Sequence, residues 1–261
     1  MPDSHPNPPR FREIADALRR EIHSGVLASG DRIPSEYQLV TRFSTTRSTV
    51  RKAVALLRAE GLVVSHQGKG AFVRTRPRVR LLSAGSRHRQ HRDSGAPNYN
   101  AEVEAQGRHA AQQLREVAEV AAPDEIAARL EIAPGTPVIV RRRRFTVDDE
   151  PMQLADGYYT TAIALGTPIA EPRRVKGGVH AVLEDPQGPI RRRVARFVED
   201  LDIRMPTPAE SELLAVPPGV PVARILRTAY DTDGAALEVL DSLVPCDRHI
   251  FRYVIDVPAC S

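Results

Sequence analysis

The sequence predicts an α+β protein of two domains: a small helical head ending in a β-ribbon, then an antiparallel sheet with flanking helices. Three observations carry this. Residues 10–74 read helix, helix, turn, helix, hairpin. Residues 75–98 are rich in Arg, Ser, Gly and Pro and lack apolar periodicity, as a linker does. Residues 99–257 contain a long internal repeat. The proline-rich, polar stretch 1–9 is expected to be a disordered N-terminus.

The head is legible residue by residue. Phe11, Ile14, Ala15, Leu18 and Ile22 recur at helical spacing between charged residues, and Gly25 and Gly30 stop that helix. In "PSEYQLVTRF", Ser35 and Gln38 match a capping box, which starts a short second helix through Phe43. After the turn "STT", a third helix runs from Arg47 to Glu60. Val50, Val54 and Leu57 form its buried stripe, and Gly61 stops it. "LVVSH" and "AFVR" are two strands joined through "QGKG". Two short helices around a tight turn, followed by a ribbon, make a winged helix-turn-helix.

Past the linker, the stretch from Ala122 aligns with that from Thr207. Gly135 matches Gly219, Pro137 matches Pro221, Arg143 matches Arg227 and Asp149 matches Asp233. Each copy reads as a short helix, a Pro-Gly turn, a strand, an Asp-rich turn and a second strand. Two copies are too few for a solenoid. They are expected to pair into one antiparallel sheet with helices on one side.

Composition narrows the function. The chain has 261 residues and a net charge of +4, and no apolar run approaches the roughly 18 residues of a membrane span. Nothing at the N-terminus reads as a signal peptide, so the expected location is the cytoplasm. Cys246 and Cys260 lack the spacing of a zinc site and read as free thiols. His88 and His91 lack further ligands nearby, so no metal and no cofactor is expected. Basic residues gather between Lys69 and Arg92, which suits a polyanionic partner.

The glycines of "SHQGKGAFV" raise the possibility of a nucleotide cradle, but the spacing excludes it. A phosphate-binding loop of that kind has four residues between its first glycine and its Gly-Lys, then Ser or Thr and a helix. Here one residue separates Gly68 from Gly70, and a strand follows. The glycines are turn residues of a wing.

The DNA-reading constellation sits around the third helix. In a helix-turn-helix the second helix of the pair enters the major groove N-terminus first. Arg47, Ser48 and Arg51 point away from the buried stripe, and an arginine can fork onto guanine O6 and N7. The expected contact set is Ser35, Tyr37, Thr46, Arg47, Ser48, Thr49, Arg51 and Lys52, with Gln67, Gly68 and Lys69 in the wing.

Residues 10–74 resemble the DNA-binding domain of the GntR family of bacterial transcription regulators. The motifs that carry this are "PSEYQLVTRF", "TTRSTVRKAVALLRAEGLV" and "HQGKGAFV", in order and without insertions. The resemblance implies Arg47, Ser48, Thr49 and Arg51 as recognition-helix contacts and Gly68 at the wing tip. The chain departs from the family at Tyr37, often arginine there, and at Ser44-Thr45, usually Gly-Val. From about Asn98 to Val257 the chain resembles the UTRA effector domain of the HutC branch, which shares the chorismate-lyase fold. "EVEAQGR", "PGTPVIVRRRRFTVDDEPMQLADGYY" and "RTAYDTDGAALEVLDSLVPCDRHIF" carry that match, and residues 164–188 fit it poorly.

"VRRRRF" lies on an expected strand, where side chains alternate, so Arg141 and Arg143 share a face with Phe145. The repeat relates Arg143 to Arg227, and the pair is expected to converge as an anion clamp. Glu238 and Tyr158, or its neighbour Tyr159, join the effector site by the resemblance, Tyr158 being the tyrosine assigned. The alternative is that these arginines pair with Asp148, Asp149, Glu150 and Asp156 on a wet face.

The function expected is a ligand-responsive regulator, a homodimer on a near-palindromic double-stranded operator, nucleoid-associated when bound. A small anionic or polar metabolite would release it as a repressor. A regulator with a degenerate effector domain, and a lyase-like enzyme, are the alternatives. No nucleophile with a neighbouring base stands out for the enzyme.

Overall fold

The computed structural model describes residues 9–66, 68–75, 79–82, 100 and 103–252. The expected segment 1–9, most of 75–98, Gln67, His88, His91 and Cys260 lie outside them, save Pro9, Thr75 and residues 79–82. The chain divides into two compact units, residues 1–77 with 216–220, and residues 78–215 with 221–261.

The head holds α1 (Arg10–Ser24), α2 (Glu36–Phe43), α3 (Arg47–Ala59), β1 (Val63–His66) and β2 (Gly70–Val73). Ile14, Ala15 and Leu18 of α1 pack with Leu39 of α2 and with Val50, Ala53 and Leu57 of α3, all fully buried. Each helix end has a local cause. Gly25 takes the left-handed conformation that closes α1, at φ 81°. Both halves of the Ser35–Gln38 capping box form. Thr46 caps α3, its hydroxyl accepting from the Thr49 amide at 3.3 Å. The β2 strand is paired on both sides. Val64 faces Phe72 across the hairpin, while Ile33 N–H donates to Ala71 O at 2.9 Å and Val73 N–H to Asp31 O at 2.7 Å.

The second unit is built on a six-stranded antiparallel sheet. Its strands are β4 (Ala110–Ala121), β5 (Pro137–Val147), β6 (Glu150–Thr160), β7 (Val194–Arg204), β8 (Val222–Asp231) and β9 (Ala236–Pro245), in the order β4-β5-β6-β9-β8-β7. That order is the sequence repeat made visible. The two copies meet at β6 and β9, each lays its other strand, β5 or β8, outward, and the strand preceding each copy, β4 or β7, forms the edge. The helices are α4 (Asp124–Leu130), α5 (Thr161–Ala164), α6 (Val179–Leu183) and α7 (Pro208–Leu213).

Two expectations are corrected here. Helices do not keep to one side. On one face Ile126, Ala127 and Leu130 of α4 pack against Val140, Tyr158, Leu226 and Val239. The other face, with Ile139, Tyr159, Ala229 and Leu237, is covered by α5, α6 and Ile169 and Val175 between them. The poorly matched segment 164–188 is therefore the cover of this second face. Val79–Leu82, inside the expected linker, forms a strand β3 that pairs parallel with β10 (His249–Arg252). Its partner lies some 170 residues away in the chain, a pairing no local pattern announces.

Ser44 closes α2 at φ 47°, in the left-handed region that costs a non-glycine residue about 1–2 kcal/mol. Replacing it with the more permissive residue gives part of that back in unfolded-chain entropy. Ser44→Gly is expected to stabilise the head by about 0.5 kcal/mol, read as a higher thermal midpoint; an unchanged or lower midpoint contradicts the strain. His249 is buried, with Nδ1 2.9 Å from Pro245 O, and burial takes its imidazole down to about 4. The unfolded chain therefore takes up this proton first as pH falls. Stability is full above about 6.5 and falls toward pH 4. In urea titrations across that window, His249→Asn is expected to flatten the decline.

Candidate nucleic-acid interface and effector pocket

At the head, α3 presents its polar face at its N-terminal end. Arg47, Ser48, Arg51 and Lys52 are exposed, as is Tyr37 at the start of α2. The hydroxyls are not all free. Thr46 Oγ1 lies 2.9 Å from both Ser48 Oγ and Thr49 Oγ1, and the Ser35 hydroxyl is engaged with Gln38. Ser35 and Thr46 thus act first as helix caps. Arg51 Nε donates to Glu36 Oε1 at 2.9 Å, and that bond raises the guanidinium pKa. The pair is exposed, so its worth to stability is small. Its effect is directional: the terminal amino groups of Arg51 stay available for a base. In the wing Lys69 N–H donates to His66 O at 3.1 Å, Gly68 turns at φ 73°, and both residues are exposed.

A cleft between α3 and the wing is lined also by Arg32, Arg58 and His66, which are not in the expected contact set. The signal for Arg58 was present, because it lies seven residues after Arg51 on one helical face. Arg32 had no such periodic signal.

In the sheet domain, strand register sorts the expected effector residues. Arg141 pairs with Gly157, Arg143 with Ala155, Arg227 with Leu240 and Ala229 with Glu238. Partners across a ladder share a face. Arg141, Arg143, Tyr159, Arg227 and Glu238 therefore lie together under the cover segment. Tyr158 does not. It points to α4 on the opposite face, so the tyrosine beside these residues is Tyr159 and the placing of Tyr158 with them is corrected. A shift of one residue reverses the face of a strand side chain.

The shared face is not a symmetric clamp. Arg141 is 1% exposed, and its guanidinium donates to Ile169 O at 2.7 Å, Glu171 O at 2.8 Å and Arg173 O at 2.7 Å. Burial pulls its pKa down. Arg141 is thus spent on holding the cover, and its expected place in an open clamp is corrected. Arg227 Nε donates to Glu199 Oε1 at 2.5 Å, with its guanidinium over Phe197. Arg142, on the other face, pairs with Asp156 at 3.3 Å and with Glu116.

Glu238 is buried, between the Tyr159 hydroxyl, which donates to it, and His180 Nε2 of α6 at 2.7 Å. Burial pushes its carboxyl up, and His180, Arg143 and Tyr159 outweigh that and take it down to about 2. The Tyr159 phenol is driven far up by burial and by Glu238. Arg143 is half-buried, its Nε closed off without a partner, and its guanidinium makes no hydrogen bond or ion pair among the described residues. The positions it overlooks are small: Ala155, and Gly157, where a Cβ would come within 3.2 Å of Arg143 Nη2 and 2.6 Å of the Tyr159 hydroxyl.

Residues 11–73 match the pattern of the bacterial regulatory proteins of the gntR family, and residues 105–250 match the UTRA domain. The chain belongs to the GntR family and carries a UTRA domain. An HTH-type transcriptional regulator of Streptomyces coelicolor is 28% identical over 259 residues, covering 97% of this chain and 95% of the relative. The histidine utilization repressor of Klebsiella aerogenes is 41% identical over 93 residues, 32% of this chain and 38% of the repressor. A crystal structure of a GntR-family transcriptional regulator is similar at a TM-score of 0.65 and 27% identity, covering 96% of this chain and 99% of that one. The HutC-type pairing of head and UTRA domain holds, and this is a DNA-binding transcription regulator rather than an enzyme. Ligand-responsive repression is the function its architecture serves.

If Arg51 reads a base, Arg51→Ala should lower affinity for the operator by about 1–3 kcal/mol and affinity for random duplex much less. Competition binding on both DNAs checks this, and equal losses would reduce Arg51 to a phosphate contact.

Proposed function

We propose that this GntR-family regulator is a homodimeric repressor. In this reading it leaves a near-palindromic operator when a small anionic metabolite settles against Arg143. The observation that carries the reading is Arg143 itself, a half-buried cation without a hydrogen bond or ion pair among the described residues. Beside it the Tyr159–Glu238–His180 cluster is already satisfied, and Gly157 lets the Tyr159 hydroxyl and Arg143 come close to the strand where a Cβ would meet both. A carboxylate or phosphate would supply the missing partner bidentately. The covering segment, tied down by Arg141 and contributing His180, is the part of the fold that would register occupancy.

Two heads on a dimer would read two half-sites, held at a spacing set by the paired UTRA domains. The ligand shifts that equilibrium only by its preference for one arrangement over the other. The edge strand β7 supports pairing of two copies, because Leu201 and Ile203 are exposed on it, at 42% and 61%. Among the described residues no helix is long and apolar enough to cross a membrane, and the proposed place of action is the cytoplasm, at the nucleoid.

The experiment is a thermal-shift screen of anionic metabolites followed by Arg143→Ala. The variant should bind operator normally and fail to be released by the ligand that releases the wild type. Normal release would remove Arg143 from the site. Ile203→Lys should lower the mass in light scattering from two copies to one; an unchanged mass places the dimer contact elsewhere.

A further inference from the structure

The cleft between α3 and the wing is lined mainly by basic groups among its charged residues. Arg32, Glu36, Arg51, Arg58, His66 and Gly70 line it, and its open volume is about 710 Å³. Glu36 is the one carboxylate among its lining residues, and Arg51 already pairs with it at 2.9 Å. The side chains of Arg32 and Arg58 are exposed and make no hydrogen bond or ion pair among the described residues. Two guanidiniums, unpaired among the described residues, therefore line one cleft, Arg58 from α3 and Arg32 from the segment beside β2.

Each is positioned by local structure. Arg58 lies seven residues after Arg51 on α3, two turns and about 10 Å further along the axis. It extends the basic face of α3 to the end remote from the recognition turn. Arg32 lies in the segment that pairs with β2, forming a bridge opposite Phe72. Its Nε would be 2.8 Å from a Cβ at Gly70, so the absence of a side chain there lets the guanidinium lie against the wing. One DNA strand carries a charge about every 3.4 Å of rise, so a 10 Å stretch of the cleft matches about three phosphates.

We propose that this cleft is a second, sequence-independent phosphate site, in which Arg32 and Arg58 grip the backbone of one DNA strand between α3 and the wing. The proposal rests on the reading that α3 and the wing face DNA. It adds a backbone grip separate from the base contacts at Arg47 and Arg51. Phosphate contacts of this kind fix register and carry the salt dependence of binding.

The test is the salt dependence of binding by the full-length chain to a 30-base-pair random-sequence duplex, measured by fluorescence anisotropy from low to moderate NaCl. Arg32→Gln and Arg58→Gln should each reduce the slope of log K against log salt by about 0.9. Arg58→Lys should keep the slope, because a point charge suffices for a phosphate. Arg20→Gln, on the exposed surface of α1 outside the cleft, removes the same charge and should leave the slope unchanged. Melting temperatures of the variants separate lost contacts from lost folding, since an arginine in the last turn of a helix also complements the helix dipole. An equal loss of slope in Arg20→Gln would overturn the proposal in favour of net charge. If Arg47→Ala weakens binding while both cleft variants keep the wild-type slope, only the cleft assignment falls. If none of the variants changes binding, the reading of this face as the DNA face falls with it.

Discussion

The guanidinium of Arg141 sits under the segment that covers the effector face, and it satisfies the carbonyls of Ile169, Glu171 and Arg173. A buried cation is costly unless its donors are met. Here its two terminal amino groups are met by backbone oxygens of a stretch with no regular structure to meet them itself, while Nε is left without a partner. The terminal amino groups and the loop carbonyls satisfy each other, and the loop is tied to the sheet. The depth of the effector face follows from this, since Glu238 and Tyr159 are buried among residues of that cover. So does the contact of His180 with Glu238, which needs α6 held in place.

The sheet beneath shows how one duplicated unit takes on two jobs. Arg143 and Arg227 are equivalent in the repeat and point to the same face. Their neighbours differ. β7 places Glu199 opposite Arg227, which closes an ion pair there, while β4 places Leu114 opposite Arg143. One arginine is thereby consumed by structure and the other left with charge to spare. The asymmetry between the two arginines follows the outer-strand residue opposite each, Leu114 or Glu199.

The head works on a different scale. Its caps and turns are local: Ser35 with Gln38, Thr46 with Thr49, and the left-handed Gly25 and Ser44. The exposed side chains at the start of α3 are therefore aimed by short-range interactions. The Glu36–Arg51 pair extends the same economy, with one helix orienting a side chain of the next.

The sequence by itself determined the two domains, the three helices and wing of the head, and the repeat in the sheet. Each of these is written in contacts a few residues apart, in capping residues, in helical or strand periods, or in plain self-similarity. Only the tertiary structure decided which tyrosine shares a face with Arg143 and Glu238, because Tyr158 and Tyr159 differ by one residue and a strand's two faces are settled by what packs on each. It also decided that Arg141 anchors a loop, that Arg227 is paired, and that Val79–Leu82 meets His249–Arg252. Those outcomes depend on partners 28 to 170 residues away. Local patterns give the period of a strand; the identity of its distant partners is fixed only when the chain closes on itself.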